Sequence, residues 1–159
     1  MKTEHQLNVE NFMLLAGQAV PSTPMIPSED IRRLRAKLIF EETLETIKAL
    51  GFSIEIDMGP SQGLLVLDEI DGDEVMLCAG LEPDLEQIVD GCCDIKVVTT
   101  GTLSACGVQD HAYQNEVDHN NLAKFGPGHS RRADGKLIKP PDHKPPRIIE
   151  LLEGDGYEN

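Results

Sequence analysis

The segment Glu41-Glu42-Thr43-Leu44-Glu45 places three carboxylates inside a helical apolar pattern rather than beside it. Ile31, Leu34 and Leu38 recur at helical spacing, and the same stripe continues through Glu42, Glu45 and Ala49. The side of the helix expected to face the core therefore turns acidic halfway along. A buried carboxylate is costly without compensation, and like charges one turn apart repel. A hard divalent cation, which prefers oxygen ligands, relieves both costs.

A second acidic set follows. Glu86, Asp90 and Asp94 stand at steps of four, so one helical face carries all three. Asp94 precedes Ile95, Val97 and Val98, which predicts a position deep in a bundle. If the two helices pack antiparallel, their acids face each other, the way helical bundles commonly build metal sites. An all-oxygen donor set favours magnesium, or manganese, over zinc or copper. Glu-rich helices are more often simply solvated acidic faces. Here the acids interrupt an apolar stripe and a second acid set answers them, which favours a metal site. Cationic side chains to complete a phosphate site are Arg35 and Lys37, near the acids, and Lys124 further on. Arg32 and Arg33 read as ordinary surface charge.

The charge balance narrows the partners. With 159 residues and a net charge of −14, the chain lacks the basic footprint of a general nucleic-acid binder. No apolar run is long enough to cross a bilayer, and the first residues lack the apolar core of a signal peptide. The expectation is a cytoplasmic protein with neither nucleic acid nor membrane as partner. Cys78, Cys92, Cys93 and Cys106 form no CxxC, and no common zinc spacing links them to His111 or His119. They read as reduced, mostly buried thiols.

The pattern predicts a mainly α domain. A first helix is expected over Asn8–Ala19, with Val9, Phe12, Met13, Leu15 and Ala16 inward. The prolines between 21 and 27 force an extended connector. A second helix is expected from about Glu29 to Leu50, with Ser28 as N-cap and Gly51 as its stop. From Phe52 to Ala79 the period changes to alternation, with further apolar runs at Leu64–Leu67 and Val75–Cys78 around an Asp71-Gly72-Asp73 turn. That predicts a small β-hairpin or meander inserted between helices. Asp84 is expected to cap a third helix that runs to about Ala105 and ends near Gly107. Its wide apolar face (Leu85, Ile88, Val89, Cys92, Ile95, Val98, Thr99) predicts burial from several directions. A fourth helix is expected over Ala112–Phe125 with Asp110 as cap. A Pro/Gly-rich stretch over 126–146 reads as loop with turns, and a short helix over Arg147–Leu152 closes the chain.

Taken together, these motifs resemble the MazG-type all-α nucleoside triphosphate pyrophosphohydrolases, closest to their phage-type branch, which is also similar to phosphoribosyl-ATP pyrophosphohydrolase. The likeness rests on Arg35-Ala36-Lys37-Leu38-Ile39-Phe40-Glu41-Glu42 leading into an EExxE element, on Asp90-Gly91-Cys92-Cys93-Asp94-Ile95, on Val98-Thr99-Thr100-Gly101-Thr102 after it, on Asn121-Leu122-Ala123-Lys124 as an NxxK element, and on Asp134-Gly135-Lys136. It covers roughly Val9 to Pro146 outside the β segment. It implies one MazG-like helical bundle over 1–159, with a β insertion at about 52–79. It also implies hydrolysis of a nucleoside triphosphate between the α and β phosphates, giving monophosphate and pyrophosphate. Glu42, Glu45 and Asp94 would hold magnesium, assisted by Asp90. Glu41 would bind a further ion or orient the attacking water, so that Glu41 and Glu45 are the catalytic candidates. Arg35 and Lys124, with Lys37 nearby, would contact phosphates, and Asn121 sugar or base. A homodimer or homotetramer is implied. The chain departs from the family pattern in two places. Gly91 stands where the second motif commonly has glutamate, and the β segment is longer than the usual loop. The alternatives are a non-catalytic helical binding or scaffolding protein and a phosphoribosyl-ATP pyrophosphohydrolase.

Overall fold

The computed structural model describes residues 1–55, 76–125, 130–131, 137–138 and 140–158. The chain is mainly helical. In order it forms α1 (Glu4–Leu15), α2 (Glu29–Ala49), β1 (Phe52–Glu55), β2 (Met76–Ala79), α3 (Leu85–Ala105), α4 (Asp110–Ala123), β3 (Ser130–Arg131), β4 (Leu137–Ile138) and α5 (Ile148–Gly154). It divides into two compact units, one of Met1–Arg32 with Thr99–Asn159 and one of Arg33–Val98. No helix among the described residues is long and apolar enough to cross a membrane.

In the first unit, α1 begins well before the expected Asn8. Thr3 is extended (φ −73°, ψ 161°), and its hydroxyl oxygen accepts from the Gln6 N–H at 3.1 Å, a side-chain N-cap. The helix also stops before Ala19, with Gly17 in the left-handed region at φ 74°. The earlier start changes which face is inward. Gln6, Val9, Glu10 and Met13 are buried, whereas Phe12, Leu15 and Ala16 are exposed. A Thr3→Ala variant should lose about 1 kcal/mol from the cap. That is a drop of about 2–4 °C in Tm for a chain of this length, and an unchanged thermal melt would contradict the cap.

Two buried polar residues on that face require partners, and they have them. Gln6, with 0% exposure, donates from Nε2 to Ser104 Oγ (3.0 Å) and to the Val108 carbonyl (2.7 Å), and its Oε1 accepts from the Asp110 N–H (2.9 Å). Ser104 donates in turn to Glu10 Oε1 at 3.1 Å, and Lys2 Nζ closes on Glu10 Oε2 at 2.7 Å. Val9, Met13, Ala105, Val108 and Tyr113 complete the apolar surroundings.

Asp110 does not cap α4 as expected. Gln109 occupies the N-cap position without a side-chain bond. The Asp110 carboxylate instead accepts from the Thr3 N–H at 3.0 Å and from the Thr3 hydroxyl. The connector expected from Pro21 to Pro27 contains no helix, and Met25 N–H donates to the Cys106 carbonyl at 2.9 Å. There Gly107 adopts φ 73°, and any Cβ on it would meet the Thr23 carbonyl. α5 starts and ends later than expected. Tyr113 Oη donates to Asp155 Oδ2 at 2.8 Å, and the Arg147 backbone N–H donates to Glu116 Oε1 at 3.0 Å. The stretch expected to be loop with turns contains a short antiparallel ladder, Ser130 opposite Ile138 and Arg131 opposite Leu137.

In the second unit, Gly51 ends α2 as expected, at φ 91° with its N–H on the Lys48 carbonyl (2.9 Å). β1 and β2 then pair antiparallel, Phe52 opposite Ala79, Ser53 opposite Cys78, Ile54 opposite Leu77 and Glu55 opposite Met76. The strand expectation at both ends of the β segment is met. Its Leu64–Leu67 run and Asp71-Gly72-Asp73 turn lie outside the described residues. Asp84 caps α3, accepting on Oδ1 from the N–H groups of Glu86 (3.0 Å) and Gln87 (3.3 Å). The Asp84 N–H itself donates to the Ala49 carbonyl at 2.9 Å. The last residue of α2 thus holds the first turn of α3, and the two helices run antiparallel.

Two expectations about faces are corrected here. On α2 the buried residues are Arg35, Thr46 and Ala49, while Leu34 is exposed. The inward stripe is rotated, passing through Glu42 and leaving Glu45 exposed. On α3 the predicted wide buried face is half wrong. Gly91 and Val98 are buried, but Leu85, Val89, Cys92 and Thr99 are exposed. The inward stripe runs through a glycine rather than through the largest side chains. The expectation of buried thiols fails at Cys92 and Cys93, which are exposed, while Cys106 is half-buried; all three are free thiols, as expected, and the Cys78 side chain lies outside the described residues.

Candidate acidic site between α2 and α3

A close contact between the two helices positions the site. An added Cβ on Gly91 would overlap the Thr46 hydroxyl oxygen and stand 3.2 Å from Thr46 Cβ and 3.3 Å from Thr46 Cα, tighter than nearly all real Cβ contacts. The α3 backbone therefore lies directly on Thr46. Thr46 is fixed in turn, because its hydroxyl donates to the Glu42 carbonyl at 2.7 Å. With Ala49 meeting Asp84 and Thr46 meeting Gly91, antiparallel register brings Glu42 level with the turn that carries Asp94.

The electrostatics report the same convergence. Burial pushes the Glu42 carboxyl above its ordinary value, and the charges of Asp94, Glu45, Glu41 and Asp90 push it further in the same direction. The structure thus brings together five of the six acids in the two sets that the sequence marks. Glu42 and Asp94 are half-buried, whereas Glu41, Glu45 and Asp90 are exposed. Asp94 is less deep than its apolar neighbours suggest. Glu86, also exposed, is absent from the groups that act on Glu42.

The cationic candidates fall in different places. Arg35 lies on the inward stripe of α2 and is only 7% exposed, while Lys37 is exposed. Asn121 and Lys124 belong to the other compact unit, at the end of α4. Lys124 Nζ donates to Asn121 Oδ1 at 2.6 Å, so these two are brought to each other.

The donor set is all carboxylate oxygen, which suits a hard cation such as magnesium. Among the described residues, no group of three His, Cys, Asp or Glu side chains stands in metal-ligating geometry. The acids are neighbours without sharing one ligation point.

Thr46 and Gly91 are the residues that sequence reasoning missed. The available signal was a glycine in mid-helix, where it is unfavourable by itself, opposite a small residue on the preceding helix. An apolar groove of about 450 Å³ in the first unit was also not anticipated; Met25, Ile26, Cys106, Tyr113, Ile149 and Leu152 are among its lining residues. Burial, the bond to Asp155 and the charge of that carboxylate push the Tyr113 hydroxyl up to about 12. No protein-family model matches this sequence, and no curated protein matches it either.

Proposed function

We propose that this protein hydrolyses a nucleoside triphosphate, or a related nucleotide, at the α-β phosphoanhydride with magnesium, releasing monophosphate and pyrophosphate. The observation that carries the reading is the gathering of Asp94, Glu45, Glu41 and Asp90 around the carboxyl of Glu42, whose pKa is raised first by burial and then by their charges. The resemblance of the surrounding motifs to the MazG-type enzymes supplies the reaction.

In this reading Glu42, Glu45 and Asp94 would close on the ion as it binds, with Asp90 beside them. When bound, a divalent cation neutralises phosphate oxygens and lowers the pKa of a coordinated water. Glu41, exposed at the edge of the cluster, orients the attacking water and accepts its proton. Lys37 is exposed for phosphate contact. Five carboxylates without a cation repel a polyphosphate, so substrate binding is expected to depend on the metal. A homo-oligomer is part of the same proposal.

The test is a panel of ribo- and deoxyribonucleoside triphosphates, with phosphoribosyl-ATP included, each incubated with magnesium and the products identified. Equal release of monophosphate and pyrophosphate from at least one substrate is the expected result. In Asp94→Asn, turnover should fall by about a hundredfold or more. Absence of turnover with every nucleotide would leave a non-catalytic binding or scaffolding protein. Cleavage of phosphoribosyl-ATP alone would move the assignment to that reaction.

A further inference from the structure

We propose that Gly91 is a positioning residue: its missing side chain sets how closely α3 lies on α2, and thereby the separation of Asp90 and Asp94 on one helix from Glu42 and Glu45 on the other. This role rests on the reading of those carboxylates as a cation site.

Glycine is disfavoured inside a helix, and three explanations other than contact fail for Gly91. It lies far from both ends of α3 (Leu85–Ala105), so it caps nothing. Its φ is not positive, unlike that of Gly51 or Gly107, so no left-handed backbone requires it. It is buried, so it is no solvated surface position. What does require glycine is Thr46: an added Cβ would overlap its hydroxyl oxygen and press on its Cβ and Cα at 3.2 and 3.3 Å, tighter than nearly all real Cβ contacts. The hydroxyl can turn away only by giving up its bond to the Glu42 carbonyl. The Cβ and Cα can yield only by a movement of a few tenths of an ångström between the helices.

Such a movement would act directly on the acids. Gly91 follows Asp90 and stands within one turn of Asp94. Thr46 follows Glu45, and its hydroxyl is bonded to the carbonyl of Glu42. The contact therefore sits at the centre of the four carboxylates, two on each helix. It also explains why this chain has no acid at position 91. A glutamate there would drive its Cβ into Thr46, so the acid adjoining Asp94 along α3 stands one residue earlier, at Asp90. Cation sites tolerate little misplacement, and a shift of about 1 Å in a positioned group can cost about a hundredfold.

The experiment is titration of the purified full chain with Mn2+, reading free ion by its electron paramagnetic resonance signal. Wild type is compared with Gly91→Ala, Thr46→Gly and the double variant. Helix propensity alone makes Gly91→Ala favourable, so loss of affinity has no origin in the isolated helix. Gly91→Ala is expected to weaken Mn2+ binding by about tenfold or more, and Thr46→Gly in the same chain to bring it back to within about threefold of wild type, a coupling that independent sites would not show. Affinity equal to wild type in Gly91→Ala would overturn the positioning role alone. So would a loss in Gly91→Ala that Thr46→Gly does not relieve. No Mn2+ binding by wild type would overturn the cation site and this role with it. If Gly91→Ala does not fold, as judged by circular dichroism, Thr46→Leu introduces the same wedge from α2. Unchanged Mn2+ affinity in a folded Thr46→Leu would then overturn the proposal, and weakened affinity would support it.

Discussion

Glu42→Gln is expected to raise the melting temperature at pH 7 in metal-free buffer while it abolishes turnover. The two effects have one cause. Burial first, and then the charges of Asp94, Glu45, Glu41 and Asp90, hold the folded-state pKa of Glu42 above its ordinary 4.5. A raised carboxyl pKa means that the folded chain binds the proton more tightly than the unfolded chain. The penalty for the charged form is therefore absent below about pH 4.5, appears as pH rises, and is complete once pH exceeds the folded value. Glutamine carries no such penalty. Each like-charged pair at helical spacing costs about 0.2–0.5 kcal/mol, and about 1 kcal/mol corresponds to a Tm shift of about 2–4 °C at this length. The gain should be largest at neutral and alkaline pH and vanish as pH falls toward 4.

Magnesium should reverse the ranking. A ligand that binds only the folded state raises stability in proportion to the logarithm of its excess over Kd. Wild type should gain from magnesium and lose that gain to EDTA, whereas Glu42→Gln should respond weakly to either. Turnover of the nucleotide cleaved by wild type should fall by about a hundredfold or more in the variant. A Glu42→Gln protein less stable than wild type at pH 7 without metal would contradict the electrostatic picture. A variant with full activity would remove Glu42 from the chemistry.

The second large effect is expected in the other compact unit. Gln6→Leu keeps a side chain of similar bulk at a position with 0% exposure but removes three hydrogen bonds, to Ser104, to the Val108 carbonyl and from the Asp110 N–H. Each buried group left unsatisfied costs about 1–3 kcal/mol. A loss of about 3–5 kcal/mol overall, read by urea denaturation, is expected. The slope against urea should stay unchanged, since the surface exposed on unfolding is the same. A loss below about 1 kcal/mol would mean that the network contributes little. Magnesium affinity serves as the control, since the acids of the α2–α3 cluster belong to the other compact unit.

What was legible in the sequence follows a physical division. Signals that act within one turn of backbone were readable. Gly51 and Gly107 end their helices with positive φ, and Asp84 caps α3 through its own side chain. The gathering of acids was also readable, because their spacing on each helix needed only antiparallel packing to bring them together. The faces were not. Hydropathy assigns Leu34, Leu85 and Val89 to the interior, yet all three are exposed and Gly91, Thr46 and Arg35 are buried. A close helix contact selects the smallest residues on the stripe, and hydropathy ranks glycine and threonine low. The α1 face failed for a related reason. Gln6 and Glu10 are buried because Ser104, Val108 and Lys2 satisfy them, and those partners are distant in sequence or lie outside the expected helix. Asp110 looked like the cap of its own helix, but it serves Thr3 instead.

That exchange ties together two events separated by most of the chain. Because the carboxylate at the start of α4 holds the start of α1, fraying of either end withdraws a partner from the other. Amide protons in the opening turns of α1 and α4 should therefore exchange with solvent at a common rate, as one opening unit, rather than at the unequal rates of two independent helix ends.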